Sequence, residues 1–185
     1  MKKRIAYMYC ALSLVIASSG LANTALASAS HDHRGNDSAK KVTIINSTGA
    51  SVGEAWLTEK EDGVHLHLKA SKLPPGMHGI HFHTVGKCDT PSFESAGAHF
   101  NPENKEHGFN NPKGFHDGDL PNIQVGNDGT VDTELITKHL TLAKDAPNSL
   151  LKADGTALVI HEKADDYVTD PAGNSGSRIA CGIIK

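Results

Sequence analysis

Six histidines and one aspartate have the residue types and the spacing of a paired metal site. The first two, His81 and His83, are separated by one residue in the segment G-M-H-G-I-H-F-H. Alternate residues of a strand share a face, so both imidazoles can reach one ion. Imidazole suits copper and zinc, and a carboxylate adds a charged oxygen ligand. The seven candidate ligands are His81, His83, His99, His107, His116, Asp119 and His161.

Four of the seven follow one another in a segment rich in Gly, Pro and Asn. His99, His107, His116 and Asp119 are separated by 8, 9 and 3 residues. Loop residues at these distances can converge on one point. Three histidines and one aspartate would then form a closed, four-coordinate site of the structural type.

The elements that must position these side chains are predicted to be strands. Apolar residues alternate with polar ones, and turn signals such as Glu61-Asp62-Gly63 separate the runs. Two stretches, 84–120 and 163–177, lack this period and are predicted to be long functional loops, pinned by metal and a disulfide. Short antiparallel strands with long loops predict an all-β sandwich or flattened barrel. The predicted strands lie in 42–44, 52–58, 64–69, 79–83, 122–136, 157–162 and 178–185.

The N-terminal segment has the pattern of a secretory signal peptide. It begins M-K-K-R, continues with a mostly apolar run and ends in small residues at Ala27. We therefore predict that residues 1–27 are removed, with cleavage after Ala29 as an alternative. An uncleaved membrane anchor is a further alternative, which the polar residues between Ser18 and Thr24 disfavour. The mature protein is then expected to have no membrane partner.

Residues 28–40 are polar and predict a flexible N-terminal arm. His31 and His33 in this arm are either solvated or bind metal weakly. Residues 41–185 are predicted to form the folded domain.

The composition of the mature chain limits its partners and its redox state. Removing residues 1–27 takes away three of the 18 basic residues and none of the 21 acidic ones, which gives a formal net charge of about −6. This charge argues against a nucleic-acid partner. Two cysteines remain, Cys88 and Cys181. In an exported chain they most simply form one disulfide; two free thiols or two soft metal ligands are the alternatives.

Five segments, taken in order, resemble the copper/zinc superoxide dismutase family over nearly all of residues 42–185. They are G-M-H-G-I-H-F-H, A-G-A-H-F-N-P, H-D-G-D-L-P-N, L-V-I-H-E-K-A-D-D and G-N-S-G-S-R-I-A-C-G. The interval H-T-V-G-K-C and the signal peptide resemble the bacterial, exported branch of that family. The resemblance implies a Greek-key β-sandwich. It also implies an enzyme that converts superoxide to oxygen and hydrogen peroxide, as antioxidant defence in the periplasm or cell envelope.

The resemblance also implies roles for individual residues and one copper and one zinc per subunit. A redox-cycling copper would be joined to a structural zinc through His99, which would also carry a proton. Arg178 would hold the incoming anion. Asp165 would accept hydrogen bonds from one ligand of each metal, and Cys88 would pair with Cys181. The implied copper ligands are His81, His83, His99 and His161, and the implied zinc ligands are His99, His107, His116 and Asp119.

Several other residues receive structural interpretations. His78 is expected to brace loops by hydrogen bonding, His65 and His67 to lie on an exposed strand face, and His139 to lie on the surface. Trp56 is expected to pack on the sheet. Lys163 either adds positive potential near the site or is an ordinary solvated lysine.

Two other functions compete with catalysis, a metal carrier on the same fold and an adhesion module on an immunoglobulin-like sandwich. The filled copper positions and Arg178 argue against both. A homodimer and a monomer are both compatible with the sequence.

Overall fold

The computed structural model describes residues 39–185. This range contains no helix with the length and hydropathy that a membrane-spanning helix requires. The predicted signal peptide, its cleavage site, and His31 and His33 lie outside the described residues. The first strand begins at Lys40, one residue before the predicted start of the domain. The strands are β1 (Lys40–Asn46), β2 (Ser51–Lys60), β3 (Gly63–Ala70), β4 (Gly76–His78), β5 (Ile80–His83), β6 (Ile123–Val125), β7 (Val131–Thr137), β8 (Thr156–His161) and β9 (Arg178–Ile184).

Seven of these strands form one antiparallel sheet in the order β5-β8-β9-β1-β2-β3-β7, and β4 pairs with β6. Neighbours such as β9 and β1, or β3 and β7, are distant in the chain, so long connections cross between them, as in a Greek key. The prediction of an all-β, antiparallel fold is confirmed. The buried core lies on the inner face and includes Ile44, Leu57, Leu66, Leu68, Ile80, Phe82, Leu158 and Ile160.

The alternation in β3 illustrates how the sequence builds this core. Val64, Leu66 and Leu68 are almost fully buried. His67 lies on the outer face, opposite Trp56 of β2, with ring centroids 5.4 Å apart. The outer face therefore carries cross-strand contacts between polar and aromatic side chains, which contribute modestly to sheet stability. The prediction that Trp56 packs on the sheet is confirmed.

His65 differs from the prediction of an exposed position, because it is only 9% exposed. Its Nδ1 lies 2.9 Å from Glu134 Oε1 and its Nε2 lies 2.7 Å from Asp62 Oδ1. The two acidic side chains cover the ring on an otherwise solvated face. Hydrogen bonds to Glu134 and Asp62 raise the pKa of His65 above its usual value.

This cluster gives the folded protein a pH-dependent contribution to its stability. A group whose pKa is raised on folding stabilises the protein fully below its unfolded pKa, about 6.5 for histidine, and loses that effect as the pH rises through the folded value. We therefore expect His65→Gln to lower the free energy of unfolding more at pH 6 than at pH 9. Urea unfolding at both pH values measures the difference. The exposed His139→Gln is the control, and an equal effect of His65→Gln at both pH values would contradict the interpretation.

The two predicted loops follow β5 and β8, the paired strands at one edge of the sheet. The first contains only one short 3-10 turn, Glu94–Ala96. It is tied to β9 by a disulfide between Cys88 and Cys181, 93 residues apart, so the predicted pairing is confirmed. Closing a chain loop of this length stabilises a protein by roughly 4 to 5 kcal/mol on the chain-entropy model, less any strain. The disulfide therefore restrains a segment that lacks regular structure of its own.

Candidate metal centre

The first loop returns along β5 and brings its histidines beside those of the strand. Phe82 N donates to Gly118 O at 2.9 Å, and Phe100 N donates to Phe82 O at 2.8 Å. A Cβ on Gly118 would lie 2.5 Å from Phe82 O, so only glycine allows this approach. In this arrangement the backbone of His83 pairs with that of His99, and the backbone of His81 pairs with that of Asp119, each as an isolated antiparallel β-bridge. The backbone therefore brings together side chains that are distant in the sequence.

The first group of candidate ligands consists of four buried histidines from three separate segments. One ring nitrogen of each lies within 4.8 Å of the others. His81 and His83 come from β5, His161 ends β8, and His99 comes from the first loop. This is the set that the sequence predicted for copper.

The hydrogen bonds of these rings indicate which nitrogen faces the centre of the group. His81 Nε2 donates to Asp165 Oδ2 at 2.8 Å, and His83 Nδ1 donates to Gly97 O at 2.9 Å. His161 Nδ1 donates to Gly176 O at 3.2 Å. A ring that donates through one nitrogen keeps a lone pair on the other, which is the tautomer that a metal requires.

Those inward nitrogens have no hydrogen-bond partner. Within the described residues only five buried polar side-chain atoms lack one, and four of them belong to this group: His81 Nδ1, His83 Nε2, His99 Nε2 and His161 Nε2. Buried polar atoms without a partner are rare and costly. Four lone pairs directed at one buried point fit a metal ion, and the donor set is chemically suitable.

The second group has the spacing of a tetrahedral site. Asp119 Oδ1 lies 2.9 Å from His99 Nδ1, 3.1 Å from His107 Nδ1 and 3.2 Å from His116 Nδ1. The Nδ1 atoms of His99 and His116 are 3.4 Å apart. Ligands at about 2.0 Å from a tetrahedral ion are separated by about 3.3 Å. The distances therefore correspond to the edges of a coordination tetrahedron, and the residues fit zinc.

His99 belongs to both groups and presents a different nitrogen to each. Its Nε2 faces the other copper candidates, and its Nδ1 faces Asp119. Burial, and next the neighbouring His81, lower the pKa of His99 to about 3. The ring is therefore a neutral imidazole, not an imidazolium, at neutral pH. Each of its nitrogens faces one of the two candidate metal positions.

Burial keeps the other inward rings neutral as well. It lowers the pKa of His81 and of His161 to about 4, and holds that of His83 well below its usual value. Burial acts against protonation of His107 too, but hydrogen bonds to Asp119 and Asp165 outweigh it and raise its pKa to about 9. Metal ligation requires deprotonated nitrogens, so the first group is ready to bind one ion without releasing protons. To ligate a second ion through Nδ1 as well, His99 must lose its remaining N–H proton.

Asp165 joins the two groups through its two carboxylate oxygens. Its Oδ2 accepts a hydrogen bond from His81 Nε2 at 2.8 Å, and its Oδ1 accepts one from His107 Nε2 at 3.0 Å. Burial opposes ionisation of this carboxyl, but His107 and His81 hold its pKa below the usual range. One carboxylate thus fixes the orientation of a ring in each group.

Arg178 is half-buried at the start of β9 and is held by backbone carbonyls. Its Nη1 donates to Phe93 O and its Nη2 to Gly97 O, each at 2.7 Å. Gly97 O also accepts the hydrogen bond from His83, so the guanidinium and a candidate copper ligand share one acceptor. Burial lowers the pKa of Arg178, but a guanidinium stays charged in proteins. The remaining N–H groups can bind an anion.

Two other residues with structural interpretations are close to His161, His78 through a hydrogen bond and Lys163 two positions along the chain. Both ring nitrogens of His78 are 2.8 Å from backbone carbonyls, those of Pro74 and His161, so its bracing role is confirmed. Lys163 is exposed, and its backbone pairs with Gly79 and Ser175.

Asn122, the last residue of the segment H-D-G-D-L-P-N, has a role that was not predicted from the sequence. The side chain of Asn122 pairs with the backbone of Asp165. The position of this residue in L-P-N, directly after Asp119, was the available signal.

Comparison with known proteins places the chain among metalloenzymes. A family described as copper/zinc superoxide dismutase matches residues 51–184. A copper/zinc superoxide dismutase of Aquifex aeolicus is 50% identical over 143 residues, 77% of this chain and 85% of the relative. A crystal structure of a superoxide dismutase-like protein from Bacillus subtilis has a TM-score of 0.77 and 48% identity, covering 79% of this chain and 98% of that one. The copper/zinc superoxide dismutase from Brucella abortus has a TM-score of 0.66 and 30% identity, covering 80% of this chain and 100% of that one. The matched residues 51–184 include every candidate ligand.

Proposed function

Because the chain belongs to the copper/zinc superoxide dismutase family, an enzyme family that uses copper and zinc, we propose that it dismutes superoxide at a paired copper and zinc site. The copper site is the group with four inward histidine nitrogens. The zinc site is the group with three histidines and Asp119. His99 is the ligand common to both ions.

The main support for this proposal is the set of four buried histidine nitrogens that have no hydrogen-bond partner in the described part of the chain. A protein of this fold need not be an enzyme, since one relative at 49% identity is named only superoxide dismutase-like. The ligand set of the individual chain therefore has to support the activity. Here all four copper positions are histidine, and each neighbouring hydrogen bond leaves the inward lone pair free.

The assignment of the two metals follows from the chemistry of the donors. Three imidazoles and a carboxylate in a closed tetrahedron are typical of structural zinc, which has no redox chemistry. Four imidazoles suit copper.

The reaction consumes two superoxide ions and two protons and yields one oxygen and one hydrogen peroxide molecule. Copper, when bound, supplies the redox chemistry, because it can take one electron from a first superoxide and return it to a second. The chain must then bind a small anion, exclude competing ligands and deliver protons. Arg178 binds the anion through the N–H groups that its carbonyl contacts leave free.

His99 is the residue suited to holding a proton between the two halves of the reaction. Its Nε2 faces the copper position and has no hydrogen-bond partner among residues 39–185. A proton held there in one half-reaction can pass to the reduced substrate in the other. The contact of Nδ1 with the zinc group keeps the ring oriented throughout.

The carboxylate of Asp165 is expected to control how tightly both ions are held. In Asp165→Asn one carboxylate oxygen is replaced by an NH2 group, which donates hydrogen bonds. The side chain can then no longer accept hydrogen bonds from both His81 and His107 through separate oxygens. Loss of such a partner typically weakens metal binding 10- to 100-fold. Competition with a zinc chelator measures the change. The exposed Asp154→Asn is the matched control, and unaltered zinc affinity in Asp165→Asn would contradict the role of this carboxylate.

We further propose that the protein works outside the cytoplasm, in the periplasm or cell envelope, as antioxidant defence. The pattern of residues 1–27 as a signal peptide supports this, with 28–40 as an arm and 41–185 as the enzyme domain. The disulfide is consistent with an oxidising compartment.

A superoxide assay on defined metal forms tests the proposed function. The decay of superoxide is followed by stopped-flow absorbance for protein loaded with both metals, with zinc alone, and after chelation and reloading. We expect rapid decay only when copper is present, and recovery on reloading. Stoichiometric binding of both metals without superoxide consumption would instead indicate a metal carrier.

A further inference from the structure

Tyr167 occupies an unusual backbone conformation beside the metal centre. Its φ is 61°, in the left-handed region that residues with a Cβ rarely adopt. Such conformations persist where surrounding contacts enforce them, and they are concentrated at functional sites. Tyr167 lies two residues after Asp165, the carboxylate that joins the two ligand groups.

Three hydrogen bonds and one aromatic contact hold Tyr167 in place. Its backbone N donates to Asp165 Oδ1 at 2.6 Å. Its phenol oxygen accepts a hydrogen bond from Asn122 N at 2.7 Å, and its carbonyl oxygen accepts one from Asn110 N at 2.9 Å. The ring also packs on Phe109, with centroids 5.6 Å apart. Tyr167 therefore connects both long loops to the segment that follows Asp119.

Asn122 transmits the phenol contact to Asp165. Its Oδ1 accepts a hydrogen bond from Asp165 N at 2.8 Å, and its Nδ2 donates to Asp165 O at 2.9 Å. Both backbone groups of Asp165 are thus paired with one side-chain amide. The phenol oxygen of Tyr167 in turn holds the backbone N–H of Asn122.

We propose that Tyr167 is a positioning residue for the metal centre, acting through Asn122 and Asp165 to slow the release of zinc. This inference rests on the proposed function only in requiring that the ions bind. Displacement of Asp165 would disturb His107 of the zinc group and His81 of the copper group together. The phenol oxygen is the one part of Tyr167 that reaches Asn122, so it can be removed without deleting the ring.

Tyr167→Phe isolates this contact. We expect zinc to leave the loaded protein about 3- to 10-fold faster, because direct outer partners of metal ligands typically contribute 10- to 100-fold and Tyr167 is one step further away. Transfer of zinc to a chromogenic chelator measures the rate. With cobalt(II) in the zinc site, the visible absorption bands are expected to shift, which reports ligand geometry rather than stability. Trp56→Phe, on the outer face of the sheet, is the control and should change neither.

A double-mutant comparison tests the route. In an Asn122→Ala background the amide pair is absent, so Tyr167→Phe should no longer accelerate zinc release. Equal acceleration in both backgrounds would overturn the route through Asn122. Suppose that the wild type retains zinc, that Tyr167→Phe releases zinc at a rate within twofold of the wild-type rate, and that the cobalt bands do not shift. The role of Tyr167 is then wrong, while the proposed function still stands. A lower melting temperature of the metal-free variant with unaltered release would also overturn it. A wild type that takes up no zinc would overturn the proposed function as well.

Discussion

Replacing His99 with alanine is expected to lower superoxide consumption by roughly 100- to 10,000-fold, the contribution typical of a positioned proton-transfer group. The substitution removes the nitrogen that faces the copper position and the one that faces Asp119. The copper group falls to three imidazoles and the zinc group to two imidazoles and a carboxylate. Stopped-flow measurement at saturating metal gives the rate, so that weaker binding is not mistaken for slower chemistry.

The control for this substitution is another histidine that lies outside both groups. His139 is exposed, and His139→Ala should leave the rate within about twofold of the wild type, as surface substitutions usually do. A rate in His99→Ala that also stays within a few-fold of the wild type would mean that the shared imidazole is not needed.

Reversing the charge at Arg178 is the second large effect that we expect. Arg178→Glu should slow superoxide consumption by about tenfold or more and reverse its dependence on ionic strength, with both metals retained. In the wild type, salt screens an attraction between the guanidinium and the anion, so the rate falls as salt rises. In the variant, salt screens a repulsion and the rate rises. A stopped-flow series from low to high ionic strength separates the two cases.

A graded set of substitutions distinguishes charge from hydrogen bonding at this position. Arg178→Lys keeps the charge but cannot donate to Phe93 O and Gly97 O in the same paired geometry. Arg178→Gln removes the charge. We expect rates to fall in the order wild type, Lys, Gln, Glu. Lys163→Glu tests whether the exposed neighbour adds to the attraction. Rates that do not vary with ionic strength in any of these proteins would refute electrostatic guidance by Arg178.

The sheet was predictable from the sequence because its strands follow a period of two. In β3 the alternation of Leu66 and Leu68 with His67 indicates which face of the strand is buried. The same pattern cannot say what covers the outer face, so the burial of His65 by Asp62 and Glu134 was missed. Those contacts depend on β7, which is distant in the chain.

The metal centre was predictable in its membership but not in its geometry. Spacing indicated that His81 and His83 share a face and that the segment from His99 to Asp119 can form a four-coordinate site. The resemblance to a family supplied the division of the ligands between copper and zinc. The stretch 84–120 has no period, so its path along β5 depends on contacts such as that between Phe82 and Gly118. Asn122 and Tyr167 lie 43 and 45 residues from their partners Asp165 and Asn122. A local sequence pattern does not predict hydrogen bonds between residues so far apart in the chain.

Counting metal ions per chain tests the central claim most directly. Metal-free protein is incubated with excess copper and zinc, freed of unbound ions by gel filtration and analysed for both elements, in the wild type and in His99→Ala. We predict one copper and one zinc per wild-type chain, with reduced retention of both ions in the variant. Uptake of a single ion by the wild type, or equal retention of both ions by the variant, would contradict a pair of sites that share His99.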